Sequence, residues 1–175
     1  MIVSQRQYDE HRKLYVGYIS KTSKLLEKPL PSREWKKDFN YSYAGARLHA
    51  LYFEHLEATK DRIPYLQMPK KFRELMAESF GSYQNWNHDF QETAKGCRPA
   101  GWAFMAVNTY DGRLYNILTD SHDASVVDMV PLIVLDMYEH AYFMDYGTDK
   151  EAYIKKFINS LDWNVVYQRL MSVTK

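Results

Sequence analysis

Apolar residues recur at helical spacing through the first third of the chain. Leu14, Tyr15, Tyr18, Ile19, Leu25 and Leu26 stand among charges over residues 5–27, which predicts a long amphipathic helix. Pro29 and Pro31 end it, and Ser32 followed by Glu34 suits a fresh helix start. Over residues 41–58 the pattern returns as Tyr43, Ala44, Leu48, Leu51, Tyr52 and Leu56, with His49 able to share that face. Two long helices joined by a short proline-containing link predict a helical hairpin. Residues 59–69 read as a loop, with Pro64 and Pro69 as breakers. Shorter helices are predicted over 70–80 and 84–94, separated by Gly81-Ser82, with Gly96 closing the second.

From Gly101 the period changes. Trp102 to Val107 is strand-like, Tyr110-Asp111-Gly112 supplies a hairpin turn, and residues 113–118 run back. A third apolar run, with Pro131 near its start, stops abruptly at Asp136. Helical patterns resume over 141–146, 151–158 and 164–171. Helices, then strands, then helices make the class α+β.

Composition narrows the function. With 46% hydrophobic and 15% aromatic residues, 175 residues suffice for one well-filled domain or two small lobes sharing a core. A net charge of +1 gives no electrostatic case for nucleic acid or an anionic membrane. The longest apolar run, 130–135, is far too short for a membrane span, and the N-terminus turns polar at once. Cys97 has no internal partner for a disulfide, which suits a reducing compartment, and nothing around it marks a nucleophile. A cytoplasmic protein is expected.

The chemistry centres on residues 129–142. Asp136 at a strand end and His140 in the following turn can converge on one point, and an oxygen-plus-nitrogen pair suits a transition metal. The same spacing also fits a capping aspartate beside an unrelated histidine, and spacing alone favours that reading.

Longer motifs carry a resemblance. Phe80-Gly81-Ser82-Tyr83, Gly101-Trp102-Ala103-Phe104, Asp136-Met137-Tyr138-Glu139-His140-Ala141-Tyr142-Phe143 and Asp162-Trp163 with Val166 and Arg169 arrive in order. His11, Tyr15 and Val16, and then His49 to Phe53, extend the series toward the N-terminus. The chain resembles the iron/manganese superoxide dismutases. The resemblance implies an N-terminal helical-hairpin lobe (1–60) and a C-terminal lobe (61–175) built on a three-stranded antiparallel sheet with flanking helices. It also implies one iron or manganese ion between the lobes, held by three histidines and an aspartate, with superoxide as substrate.

Carried over by position, His49, Asp136 and His140 match three ligands. The first ligand should lie eight residues before Tyr15, where Gln7 stands. Gln7 is then either a weak fourth donor, or the site has three protein ligands and extra solvent, or it is empty. Tyr15 and His11 correspond to residues lining the substrate funnel, and His122 to the group that hydrogen-bonds metal-bound solvent. Tyr138 stands where the signature has tryptophan, and Phe143 where it has a gate tyrosine. Glu139 beside His140 implies a symmetric homodimer, and its alternative is an acid favoured by a helix N-terminus. His55 and His88 match nothing and are expected at the surface. The departures leave two further functions open: a dismutase-fold subunit of a larger assembly, and a metal protein of other reactivity.

Overall fold

The computed structural model describes residues 1–57 and 62–173. Helix α1 (Gln5–Glu27) starts where the Ser4 hydroxyl accepts from Gln7 N at 3.1 Å. It ends just before Pro29, whose ring disfavours helical backbone in the preceding residue. Helix α2 (Arg33–Glu57) starts eight residues earlier than the apolar pattern predicts. The Ser32 hydroxyl caps it by accepting from Trp35 N at 3.2 Å, and Trp35 stacks on Phe39 in its first turns. The two helices pack together as the expected hairpin.

Hydrophobicity misreports which faces are buried. In α1 the buried residues are Gln7, His11 and Thr22, while Leu14, Ile19 and Leu26 are exposed. In α2 the buried face carries Ser42, Gly45, His49, Tyr52, Phe53 and His55, and Tyr43 is exposed. Polar groups line the inner faces because a polar centre lies between these helices and the sheet.

Of the predicted loop, residues 59–61 lie outside the described residues, and Tyr65–Gln67 forms a single 3₁₀ turn. Helix α3 (Lys70–Phe80) ends at Gly81, with φ +82°, whose N–H bonds to Ala77 O at 2.7 Å. Helix α4 (Tyr83–Gly96) is capped by the Ser82 hydroxyl, which accepts from Asn85 N. Gly96 lies inside the last turn rather than closing it, and Cys97 is the cap.

Strands β1 (Trp102–Asn108), β2 (Leu114–Thr119) and β3 (Met129–Asp136) form one antiparallel sheet in the order β2-β1-β3. The central strand is buried on both faces, which is why β1 reads as a continuous apolar run instead of an alternation. Gly101, at φ +152°, leads into it; a Cβ there would stand 2.3 Å from Thr119 O, so no side chain fits. Ala106 pairs with Pro131 and Met105 with Ile133, so Leu132 is an extra residue in β3. At the bulge Arg169 Nη1 donates to Leu132 O at 2.8 Å.

A 3₁₀ turn (Glu139–Ala141) and helices α5 (Phe143–Tyr146), α6 (Lys150–Asn159) and α7 (Trp163–Val173) complete the chain. Arg169 on α7 also donates to Leu51 O and Glu54 Oε2 of α2. Its guanidinium can only donate, so His55 Nε2, 2.9 Å away, accepts. His55 is therefore a buried neutral clasp residue, contrary to the surface position expected; burial and then Arg169 push its pKa well below the ordinary value. His88 is exposed, as expected. No helix among the described residues is long and apolar enough to cross a membrane.

Candidate metal centre

Strand β3 ends by delivering Asp136 into the gap between the helical hairpin and the sheet, where it is fully buried. Its backbone is fixed from behind. Tyr153 donates to Asp136 O at 3.0 Å, which uses that hydroxyl's proton, so Tyr52 is the donor to Tyr153 at 2.9 Å. One carboxylate oxygen, Oδ1, accepts from Tyr138 N at 2.8 Å. The other, Oδ2, faces three imidazoles: His11 Nε2 at 3.2 Å, His140 Nε2 at 3.3 Å and His49 Nε2 at 3.7 Å. The four donor atoms lie within 4.8 Å of one another.

Within the cluster His140 Nε2 is in hydrogen-bond geometry with Asp136 Oδ2, and the other two rings are not. His49 Nδ1 donates to Gly45 O at 2.7 Å, which fixes the tautomer and leaves the Nε2 lone pair aimed inward. Neither His11 Nε2 nor His49 Nε2 makes a hydrogen bond with the protein: the first approaches Asp136 at close range but off the N–H···O direction, and the second is too distant. Two buried, unpartnered ring nitrogens around a buried carboxylate are what a bound cation would satisfy. Burial lowers the His49 pKa to about 4 against the opposing pull of Asp136, so this ring is neutral near pH 7 and its lone pair is available. Burial works to raise Asp136, but His11 and His140 outweigh it and hold the carboxyl far below the ordinary carboxylate range. One carboxylate and three imidazoles fit a borderline first-row transition metal.

The fourth position departs from expectation. Gln7 does not enter the cluster. Its amide nitrogen donates to His140 O and its oxygen accepts from Met144 N at 3.0 Å, so both ends are engaged with backbone. His11, one helical turn further along α1, is the residue of that helix that lies in the cluster. Tyr15 lies against His49 with ring centroids 6.3 Å apart and against Phe53 at 5.5 Å. Tyr18 instead reaches His122, with Oη 2.8 Å from Nε2.

His122 is buried and its protonation can be assigned from its neighbours. The Trp102 indole nitrogen, which can only donate, lies 2.8 Å from His122 Nδ1. Nδ1 must therefore accept, which puts the proton on Nε2 and makes it the donor to Tyr18 Oη. Burial lowers the His122 pKa, in keeping with a neutral ring. Burial, then Tyr41, raises that of Tyr18, so its hydroxyl keeps its proton. Tyr138 stacks on His140 at 5.3 Å and lies tilted against His122 at 5.1 Å. Sequence reasoning passed over Tyr18, Tyr41 and Gly45. The signal was there: Tyr18 is seven residues after His11, and Gly45 four before His49, each on the same helix face as its histidine.

The profile of the iron/manganese superoxide dismutase C-terminal domain matches residues 68–169. The chain belongs to the iron/manganese superoxide dismutase family. An iron superoxide dismutase of Aquifex pyrophilus is 29% identical over 190 aligned positions, covering 99% of this chain and 86% of that protein. A manganese superoxide dismutase of Halobacterium salinarum is 26% identical over 166 positions, covering 91% and 80%. The α+β architecture is that of this superoxide dismutase family, and in it the Asp136 and His140 signature and the buried histidines of α1 and α2 meet at one point.

Proposed function

We propose that the protein dismutes superoxide, converting two superoxide anions and two protons to oxygen and hydrogen peroxide. Iron or manganese would be held by His11, His49, Asp136 and His140. The observation that carries this reading is the pair of unpartnered buried nitrogens, His11 Nε2 and His49 Nε2, facing the Asp136 carboxylate. Iron or manganese bound there would supply the one-electron chemistry that dismutation needs. Asp136 and the three imidazoles would hold that ion in a largely buried pocket.

Protons are the task of the second group. His122 donates to Tyr18 Oη, so the Tyr18 hydroxyl proton points away from His122, toward Tyr41, a small anion or solvent. Tyr41, whose ring lies 4.7 Å from His122 and which is exposed at its outer edge, stands between this pair and bulk water. Tyr15 backs the His49 ring rather than touching His122. Phe143 carries no hydroxyl, so it contributes shape and not a proton.

Glu139 is exposed beside the half-buried His140, with Leu14, Phe143 and Met144 forming an apolar surround. That composition supports a two-fold homodimer through the Glu139–His140 edge. A division into lobes at 1–60 and 61–175 is part of the same proposal; its boundary falls on residues outside the described ones. Cytoplasmic residence is supported by one cysteine, which is buried. Metal analysis of purified protein, run beside a superoxide-consumption assay, tests the reading. Near-stoichiometric iron or manganese with fast consumption is expected; a well-folded protein that takes up neither metal overturns it.

A further inference from the structure

His140 is held differently from the other three residues of the cluster. Its side chain is 29% exposed, against 1% for His11 and 0% for His49 and Asp136. His11 and His49 ride on helices of 23 and 25 residues, and Asp136 on a strand paired with the centre of the sheet. His140 sits on a single 3₁₀ turn followed by a four-residue helix, too little regular structure to fix a side chain by itself.

What ties that segment down is the first turn of α1. Gln7, 1% exposed, donates from Nε2 to His140 O and accepts at Oε1 from Met144 N, bracketing the turn at both ends. Ser4 N bonds to Asp145 Oδ2 and Tyr146 Oη to Ile2 O just outside it. Gln7 and His11 are four residues apart, on one face of α1. The same helix face therefore gives one donor directly and grips the backbone of another.

We infer that Gln7 is a positioning residue: its amide locks the His140 turn onto α1 and thereby sets how tightly the ion is held. The inference rests on the metal-centre reading above. Groups that orient a metal ligand from behind commonly change metal affinity by about 10- to 100-fold when removed. A glutamine is suited to the task because one amide offers a donor and an acceptor at fixed spacing. An ionised glutamate offers acceptors alone.

The test compares the full-length parent, Gln7→Ala, Gln7→Glu and Ser79→Ala, each loaded with manganese. Ser79 accepts from Leu114 N between α3 and β2, remote from the centre, and controls for loss of an ordinary tertiary hydrogen bond. The readouts are the rate of manganese transfer to a chelator and the hydrogen exchange of the Met144 amide in metal-free protein. Gln7→Ala is expected to release manganese about 10- to 100-fold faster than the parent and to lose Met144 protection. Gln7→Glu keeps an acceptor for Met144 but not the donor to His140, so it retains the protection and still releases quickly. Ser79→Ala releases at the parent rate. If Gln7→Ala does not fold, Gln7→Glu carries the same test of release. Release at the parent rate from both Gln7 variants overturns the inference while leaving the metal centre intact; a parent that binds neither manganese nor iron overturns both.

Discussion

Gly45→Ala is a one-methyl test of how the helical hairpin shapes the centre. A Cβ at Gly45 would stand 2.8 Å from Tyr18 Cδ1, 3.0 Å from Cε1 and 3.1 Å from Cγ. These are atoms of a rigid ring near its root, not the end of a flexible side chain. Restoring ordinary carbon–carbon separation moves the ring by roughly 1 Å. The Tyr18 hydroxyl, now 2.8 Å from His122 Nε2, would then lie beyond hydrogen-bond range. Two stability effects oppose each other. Alanine in a helix interior gains about 1 kcal/mol over glycine, whereas overpacking costs about 1–3 kcal/mol. The net expected is a loss of up to about 2 kcal/mol, measured by urea unfolding of the metal-loaded protein. Losing the Tyr18–His122 bond, worth about 0.5–1.5 kcal/mol, slows superoxide consumption by roughly 2- to 10-fold. Metal content stays at the parent level, because Gly45 O still accepts from His49 Nδ1. A variant stabilised by about 1 kcal/mol with undiminished activity would refute the close approach of Tyr18 to α2 and the role drawn from it.

Trp102→Phe removes the donor that fixes the His122 tautomer; superoxide consumption is expected to fall on the order of 10-fold with metal content unchanged, and loss of the metal instead would contradict the assignment. Arg169→Met removes the side-chain donor to Leu132 O and leaves the buried His55 Nε2 without a partner, at about 1–3 kcal/mol each, so thermal unfolding should shift down by on the order of 10 °C. In the metal-free protein His49 titrates near 6.5 when unfolded and about 4 when folded, so below pH 6.5 the unfolded chain binds more protons. Stability should therefore fall by roughly 3 kcal/mol as pH drops from about 6.5 to about 4, with buried His55 and His122 acting in the same direction. Urea midpoints measured across that window check it, and a flat profile would be inconsistent with neutral buried histidines.

Local signals carried most of the fold. Pro29, Pro31, Ser32, Gly81-Ser82 and Asp111-Gly112 act through their own backbone or caps, so the breaks they mark are legible without tertiary information. Periodicity failed where the centre lies: Gln7, His11, Ser42 and His49 face inward, and Leu14, Ile19 and Tyr43 face out. Functional positions are where binary pattern and burial are expected to part. The set Asp136, His140 and His49 could be carried over by motif. The choice between Gln7 and His11 could not, because residues four apart share a helix face and either register satisfies the spacing. Only the closure of α1 against Asp136 selects His11. His55 was illegible for a related reason, since its partner Arg169 is 114 residues away.

The central claim is that His11 completes a four-residue cradle for one ion. Manganese and iron content, measured on the parent and on His11→Ala after identical reconstitution and chelator dialysis, addresses it most directly. The parent should retain close to one metal ion per chain and His11→Ala little or none, with the fold intact by circular dichroism. Equal retention by the two proteins would contradict the account.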